Sequence, residues 1–244
     1  MREASTAIVG AGDYIGAAIA RRFAQGGYRV HCGRRHGEQL APLLAEIAAA
    51  GGRAAGGALD AREPDQIARF MADADAAAPL EVAVFNVGAN VNFPILETTE
   101  RVFRKVWEMA CYAGFLAGRE AARHMLPRGR GCIFFTGATA SLRGGPGYAA
   151  FAAAKFGLRA VAQSMARELS PRGIHVAHLV IDAGVDTAWV RARLRQSGDA
   201  EADRLEPDRL MHPASIAEAY WQLHQQSRDA WTHELDLRPY REPW

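Results

Sequence analysis

The sequence predicts an α/β fold in which a doubly wound, seven-stranded parallel sheet is flanked by helices. Two observations point to it. Short β-rich runs alternate along the chain with longer stretches whose apolar residues recur every three or four positions. The first such run also passes directly into a glycine-rich turn, Gly10-Ala-Gly12-Asp13-Tyr14-Ile15-Gly16, and then into the amphipathic stretch Ala17-Ala-Ile-Ala-Arg-Arg-Phe. Strands are expected at residues 6–9, 28–32, 53–59, 81–85, 131–136, 174–180 and 232–237. Helices fill the gaps at about 14–25, 38–50, 64–77, 100–125, 148–169 and 214–226. Pro64 stands where a first-turn proline costs nothing, Gly26-Gly27 and Gly51-Gly52 follow helix ends, and Pro127 with Gly129 stops the long fourth helix. No repeat or linker divides the 244 residues, so 1–244 is read as one domain. Within it, 184–212 is charge-rich and lacks strong periodicity, as a mobile substrate lid would.

With 49% hydrophobic and 23% charged residues the chain can bury a sizeable core, which excludes a mainly disordered state. Lysine and arginine number 29 against 27 acidic residues, a net charge of +2, so no strong field points to nucleic acid or a membrane surface. Cys32, Cys111 and Cys132 are odd in number and show no C-x-x-C spacing, which argues against a disulfide framework and a thiolate zinc site. The N-terminus reaches Gly10 before a signal-peptide apolar stretch can form, and nowhere do about 18 apolar residues run together. A soluble cytoplasmic protein is the expectation.

A glycine-rich turn between a first strand and its helix is where a Rossmann fold receives a dinucleotide pyrophosphate. Small residues admit the backbone to the phosphate, and the helix N-terminus offers free N–H groups at its positive end. An NAD-preferring site carries an acidic residue at the end of the second strand, but this chain reads Cys32-Gly33-Arg34-Arg35-His36. Two arginines there suit a 2′-phosphate through charge-assisted hydrogen bonds, so NADP(H) is favoured over NAD(H).

Asp60 closing the third strand, Asn86-Val87-Gly88 closing the fourth, and Phe151-Ala-Ala-Ala-Lys155 opening a helix stand in an order that resembles the short-chain dehydrogenase/reductase family. The likeness covers nearly the whole chain, including the helix from Lys155 to Leu169 and the following Gly173-Ile-His-Val. The resemblance implies that Gly10, Gly12 and Ile15 line the pyrophosphate, with Tyr14 standing where the second of three glycines is expected. It gives Arg35 to the 2′-phosphate, Asp60 and Ala61 to the adenine, and Asn86 to Gly88 to the adenine-side ribose. Thr136 would border the nicotinamide, and Gly184-Val185-Asp186-Thr187 resembles the segment whose threonine holds the carboxamide or pyrophosphate. The helices from Phe103 and from Phe151 resemble those through which family members dimerise, often on the way to tetramers.

The family's catalytic tetrad is mostly replaced. Phe151 occupies the position of its tyrosine, Ala138 that of its serine and Ala110 that of its asparagine, while Lys155 remains. Phenylalanine carries no transferable proton, and losing such a group removes about 10²–10⁴-fold in rate. Tyr148, one helical turn before Phe151, and Ser141, three residues after Ala138, are the candidate substitutes, and Thr139 is a further donor to a carbonyl. His175 and His178, three apart on a strand, point to opposite faces and do not read as metal ligands. Asp182 and Asp186 flank the end of the sixth strand, where they can meet substrate or form turns. Trp189, Trp221, Trp231 and Trp244 crowd the C-terminal third, as lid or subunit anchors. The expected activity is NADP(H)-dependent interconversion of a small to medium, largely apolar carbonyl and alcohol. The alternatives are a cofactor-binding pseudoenzyme or sensor without turnover, and non-redox chemistry in the same pocket.

Overall fold

The structure is a computed structural model that describes residues 3–196, 208–240 and 242. Seven strands, β1 (Ser5–Val9), β2 (Arg29–Arg34), β3 (Arg53–Ala58), β4 (Leu80–Phe85), β5 (Gly131–Thr136), β6 (Ile174–Ile181) and β7 (Glu234–Leu237), form one sheet in the order β3-β2-β1-β4-β5-β6-β7. Every neighbouring pair is parallel. The order reverses between β1 and β4, where a doubly wound sheet opens its ligand crevice. Val9 lies in register with Gly33 and Phe85, so the loops that begin at Gly10, Arg34 and Asn86 leave the sheet side by side.

Burial follows from the topology. Helices on both faces leave the central strands no solvent side, so all eight residues of β6 are buried and its sequence is almost uninterruptedly apolar. One core layer packs Ile8, Val30, Val82 and Phe134 against α1 (Ile15–Gln25) and α8 (Pro213–His224). The other packs Val9, Phe85, Phe135 and Val176 against α3 (Pro64–Ala77), α5 (Ala113–Met125) and α6 (Ala149–Leu169). α5 and α6 approach closely because their seam is small: a Cβ on Gly114 would run into Leu158, and one on Gly157 would lie 2.7 Å from Cys111 Sγ. The edge strand β3 is partly covered by α2 (Ala41–Ala49).

Two expectations need correction. The long helix expected over residues 100–125 is α4 (Glu100–Trp107), a π-helical turn at Glu108–Tyr112, and then α5. The wider turn re-phases the faces, burying Ala110 and Cys111 beside Phe151. No proline or glycine marks that break, so periodicity alone reads straight through it. Within 184–212, where the sequence shows no strong periodicity and no helix was expected, the chain also forms regular structure. The segment contains α7 (Ala188–Gln196), and a parallel bridge from Val185 to Met211 pins its two ends together. The remainder expected to belong to the lid, 197–207, lies outside the described residues. Among the described residues, no helix is long and apolar enough to cross a membrane.

The tryptophans also separate. Trp221 packs against Phe23 and carries the Arg22 guanidinium over its ring, and Trp231 stacks on His175, both within the α8 side of the core. Trp244 lies outside the described residues. His175 hydrogen-bonds the Thr232 carbonyl, while His178 abuts Gly137 and Glu234. Among the described residues no three His, Cys, Asp or Glu side chains gather closely enough to hold a metal ion.

The turn after β1 depends on contact with the sheet and helix as much as on conformation. Gly10 has φ +92° and sits 2.8 Å, at Cβ distance, from the Asn86 backbone, and a Cβ on Gly16 would collide with the Gly10 carbonyl oxygen. Gly16→Ala is therefore expected to lower Tm by about 3–10 °C through overpacking. Gly57→Ala, where a Cβ meets nothing within 4 Å, is expected to leave Tm unchanged; thermal unfolding of both variants checks the contrast.

Candidate active site

The crevice predicted by the strand order is present. A cavity of about 750 Å³ runs along the C-terminal ends of β1, β4, β5 and β6, and a smaller one of about 220 Å³ adjoins it beside β2 and β3. They share Gly10, Gly12, Asn86, Val87 and Gly88. Tyr14, Ile15, Thr136, Lys155, Val185 and Thr187 line the larger space, and Arg34, Arg35, Asp60 and Ala61 line the smaller. The sheet thus brings together every residue that the sequence assigned to the cofactor.

The glycines divide by cause. Gly10 and Gly16 are demanded by the fold, but a Cβ on Gly12 or Gly88 would meet nothing within 4 Å, so protein packing does not require glycine there. Both border the cavity. The N-terminus of α1 beside them has no side-chain cap and no acidic residue in its first turn. Its first N–H groups are therefore open to an anion.

Lys155 is 3% exposed, and its ammonium donates to the Thr136 carbonyl at 2.8 Å and the Val87 carbonyl at 3.3 Å. Burial lowers its pKa to about 8, against a small opposing pull from Cys111. The Phe151 ring lies 5.8 Å from the ammonium, and Phe151 and Ala138 both face the cavity without a polar side chain. The Thr136 hydroxyl turns away from the cleft to meet Tyr220 at 2.6 Å, which leaves that residue's backbone to serve the site.

The expected substitutes fare differently. Ser141 does not line the cleft: it is fully buried, and its hydroxyl accepts from the Ala138 N–H, bracing the turn after β5. Tyr148 lines the cleft from the residue just before α6, and its hydroxyl accepts from Arg193 at 3.2 Å. Thr139 also faces the cleft, close enough to Asp182 to favour its charged form. Burial pushes the Asp182 carboxyl up, but Thr139, Arg238 and Arg143 outweigh it and hold it below the usual carboxylate range. Asp182 is thus a buried ion-pair anchor for Arg238, and Asp186 pairs with Arg191 at the foot of α7.

Two arginines after β2 have separate duties. Arg34 is held by Asp13 and Gln39, while Arg35 is exposed and makes no ion pair among the described residues. Asp60 is occupied by Arg62, whose side-chain hydrogen bonds hold its carboxyl below the ordinary range. Sequence reading missed Arg62, Met109, Arg143 and Arg193 as lining residues. Arg62 was within reach, two residues past a motif aspartate, but Met109 depends on the unmarked π turn.

Tyr14 has a specific local role. Its hydroxyl accepts from the Ala188 N–H at 3.0 Å, and the Thr187 hydroxyl accepts from Val190, so the phenol and the threonine together cap α7. Tyr14 therefore fastens α7 to the glycine-rich turn.

The short chain dehydrogenase family model matches residues 5–197. The chain belongs to the short-chain dehydrogenase family. It is 61% identical to a short-chain dehydrogenase from Rhodopseudomonas palustris of known structure, with a TM-score of 0.85 over 98% of this chain and 100% of that one. An F189W actinorhodin polyketide ketoreductase with NADPH is 25% identical, with a TM-score of 0.86 over 98% and 97%. The 3-oxoacyl-[acyl-carrier-protein] reductase MabA of Mycobacterium tuberculosis H37Rv is 28% identical over 214 residues, 87% of this chain and 82% of that protein.

In this short-chain dehydrogenase the buried lysine sets a pH signature. Its folded pKa lies below the unfolded value of 10.5, so between about 8 and 10.5 the unfolded chain holds a proton that the folded one has lost. The cost of burying the cation is complete below about pH 8 and is relieved as pH rises. Relative to Lys155→Met, the wild type should gain stability above that point by up to about 1.4 kcal/mol per pH unit, read from unfolding midpoints between pH 7 and 10.

Proposed function

We propose that this protein is an NADP(H)-dependent oxidoreductase that interconverts a small to medium carbonyl compound and its alcohol. The observation that carries the reading is the adjoining pair of cavities, with open space beside Gly12 and Gly88 and the buried Lys155 lining the larger one. The NADPH and NADP complexes of related structures support a nucleotide in such a cleft. The α1 N-terminus with Gly12 and Ile15 would hold the pyrophosphate. Asn86 to Gly88 would hold the adenine-side ribose, and Asp60 and Ala61 would border the adenine. Arg35, exposed and in no ion pair among the described residues, would take the 2′-phosphate and favour NADP(H). Thr136, Val185 and Thr187 would frame the nicotinamide.

The bound cofactor supplies hydride to the carbonyl carbon. Two of the three Lys155 N–H donors are spent on carbonyls, and the third is available to the nicotinamide ribose. Tyr148 supplies the proton to the developing alkoxide. Arg193 donates to its oxygen, which leaves the phenol O–H free for the cleft. Trp189, Val190 and Phe151 give the substrate an apolar wall and exclude water from the reacting carbon. Phe103, Trp107, Phe115 and Phe156 are exposed on α4 to α6, which supports self-association through that face.

A second reading, nucleotide binding without turnover, is favoured by one observation: neither Phe151 nor Ala138 offers the cleft a polar side-chain atom. Steady-state reduction of a carbonyl panel with NADPH separates the two. The proposal expects measurable turnover, a loss of about 10²–10⁴-fold in kcat for Tyr148→Phe, and a gain for Phe151→Tyr with Ala138→Ser. No turnover in the wild type or the double variant would establish the binding-only reading.

A further inference from the structure

The substrate end of the cleft has a charge that neither the hydride chemistry nor the cofactor residues explain. Arg143 and Arg193 both line it, from the turn after β5 and from α7. Among the described lining residues the sole carboxylate is Asp13, at the other end and paired with Arg34. Asp182, which Arg143 approaches at 3.7 Å, is also bound to Arg238, and Asp236 lies within electrostatic reach of both arginines, so the uncompensated cation is Arg193. Arg193 meets a phenol and lies 5.5 Å over the Trp189 ring, and neither contact neutralises it.

We propose that the substrate is a free carboxylate, an oxo acid or the matching hydroxy acid, whose anion is bound by Arg193 with Arg143 nearby. The inference rests on the oxidoreductase reading and adds its substrate class. A guanidinium suits a carboxylate because its planar fork donates two parallel hydrogen bonds. The Trp189 face holds the guanidinium plane while its edge stays available to a ligand. Arg193 donates at 3.2 Å to the Tyr148 hydroxyl, the group that would protonate the substrate oxygen. Carboxylate and carbonyl are therefore separated by a short chain, and the apolar wall of Trp189, Val190 and Phe151 takes the remainder of the molecule.

The test is calorimetric titration of the NADPH-saturated protein with 3-benzoylpropanoate and 5-oxohexanoate, each beside its methyl ester, together with NADPH titration of every variant. The acids are expected to bind at least about tenfold more tightly than the esters, with the preference falling to within about threefold in Arg193→Gln and partly kept in Arg193→Lys. NADPH affinity should be unchanged in both variants, which also reports that they fold. Equal binding of acid and ester, an unchanged preference in Arg193→Gln, or binding of no probe overturns the proposal. A tenfold loss of NADPH affinity in Arg193→Gln also overturns it, because Arg193 would then serve the cofactor. Failure of the wild type to bind NADPH defeats the oxidoreductase reading instead.

Discussion

The candidate site is organised around one buried ammonium. Lys155 enters the interior from an alanine-rich helix and is held by two main-chain carbonyls, one following β4 and one closing β5. A cation with so little exposure tolerates burial only because those carbonyls replace part of its hydration. The arrangement fixes α6 relative to the sheet and brings Phe151 and Tyr148 to the same wall of the cleft. Among the described residues the lysine's hydrogen-bond partners are those two carbonyls alone, so one N–H still faces the cleft.

The second organising link joins α7 to the glycine-rich turn. Tyr14 reaches from the turn to the first N–H of α7, and α7 in turn sends Arg193 to Tyr148 at the start of α6. The two ends of the cleft, at the glycine-rich turn and at Tyr148, are thereby connected through a single nine-residue helix. The connection sets the Tyr148 phenol and the Arg193 guanidinium side by side in the lining of the cleft.

Much of this was legible in residue order. Strand-length apolar runs, helix stops and the glycine turn carry the seven parallel strands, because strands buried on both faces leave little freedom in composition. The residues that line the crevice were legible because the topology brings the ends of β1, β2, β4 and β5 to one place. What escaped depends on interactions that leave no local trace. The π turn at Glu108–Tyr112 has no breaker residue, and α7 is stabilised by a tyrosine 174 positions away and a bridge at its flanks. Ser141 illustrates the opposite error. Its spacing from Ala138 put it near the site, but its hydroxyl is turned inward to a backbone N–H.

The claim that the nucleotide half of the site is intact while the proton half is rebuilt is tested most directly by calorimetric titration of the cofactor-stripped wild-type protein with NADPH and NADH. The account predicts micromolar NADPH binding with NADH at least tenfold weaker, a difference of about 1.4 kcal/mol. Absence of binding by either nucleotide would contradict it, and would mean that Tyr14 and its link to α7 close the crevice that the sheet opens.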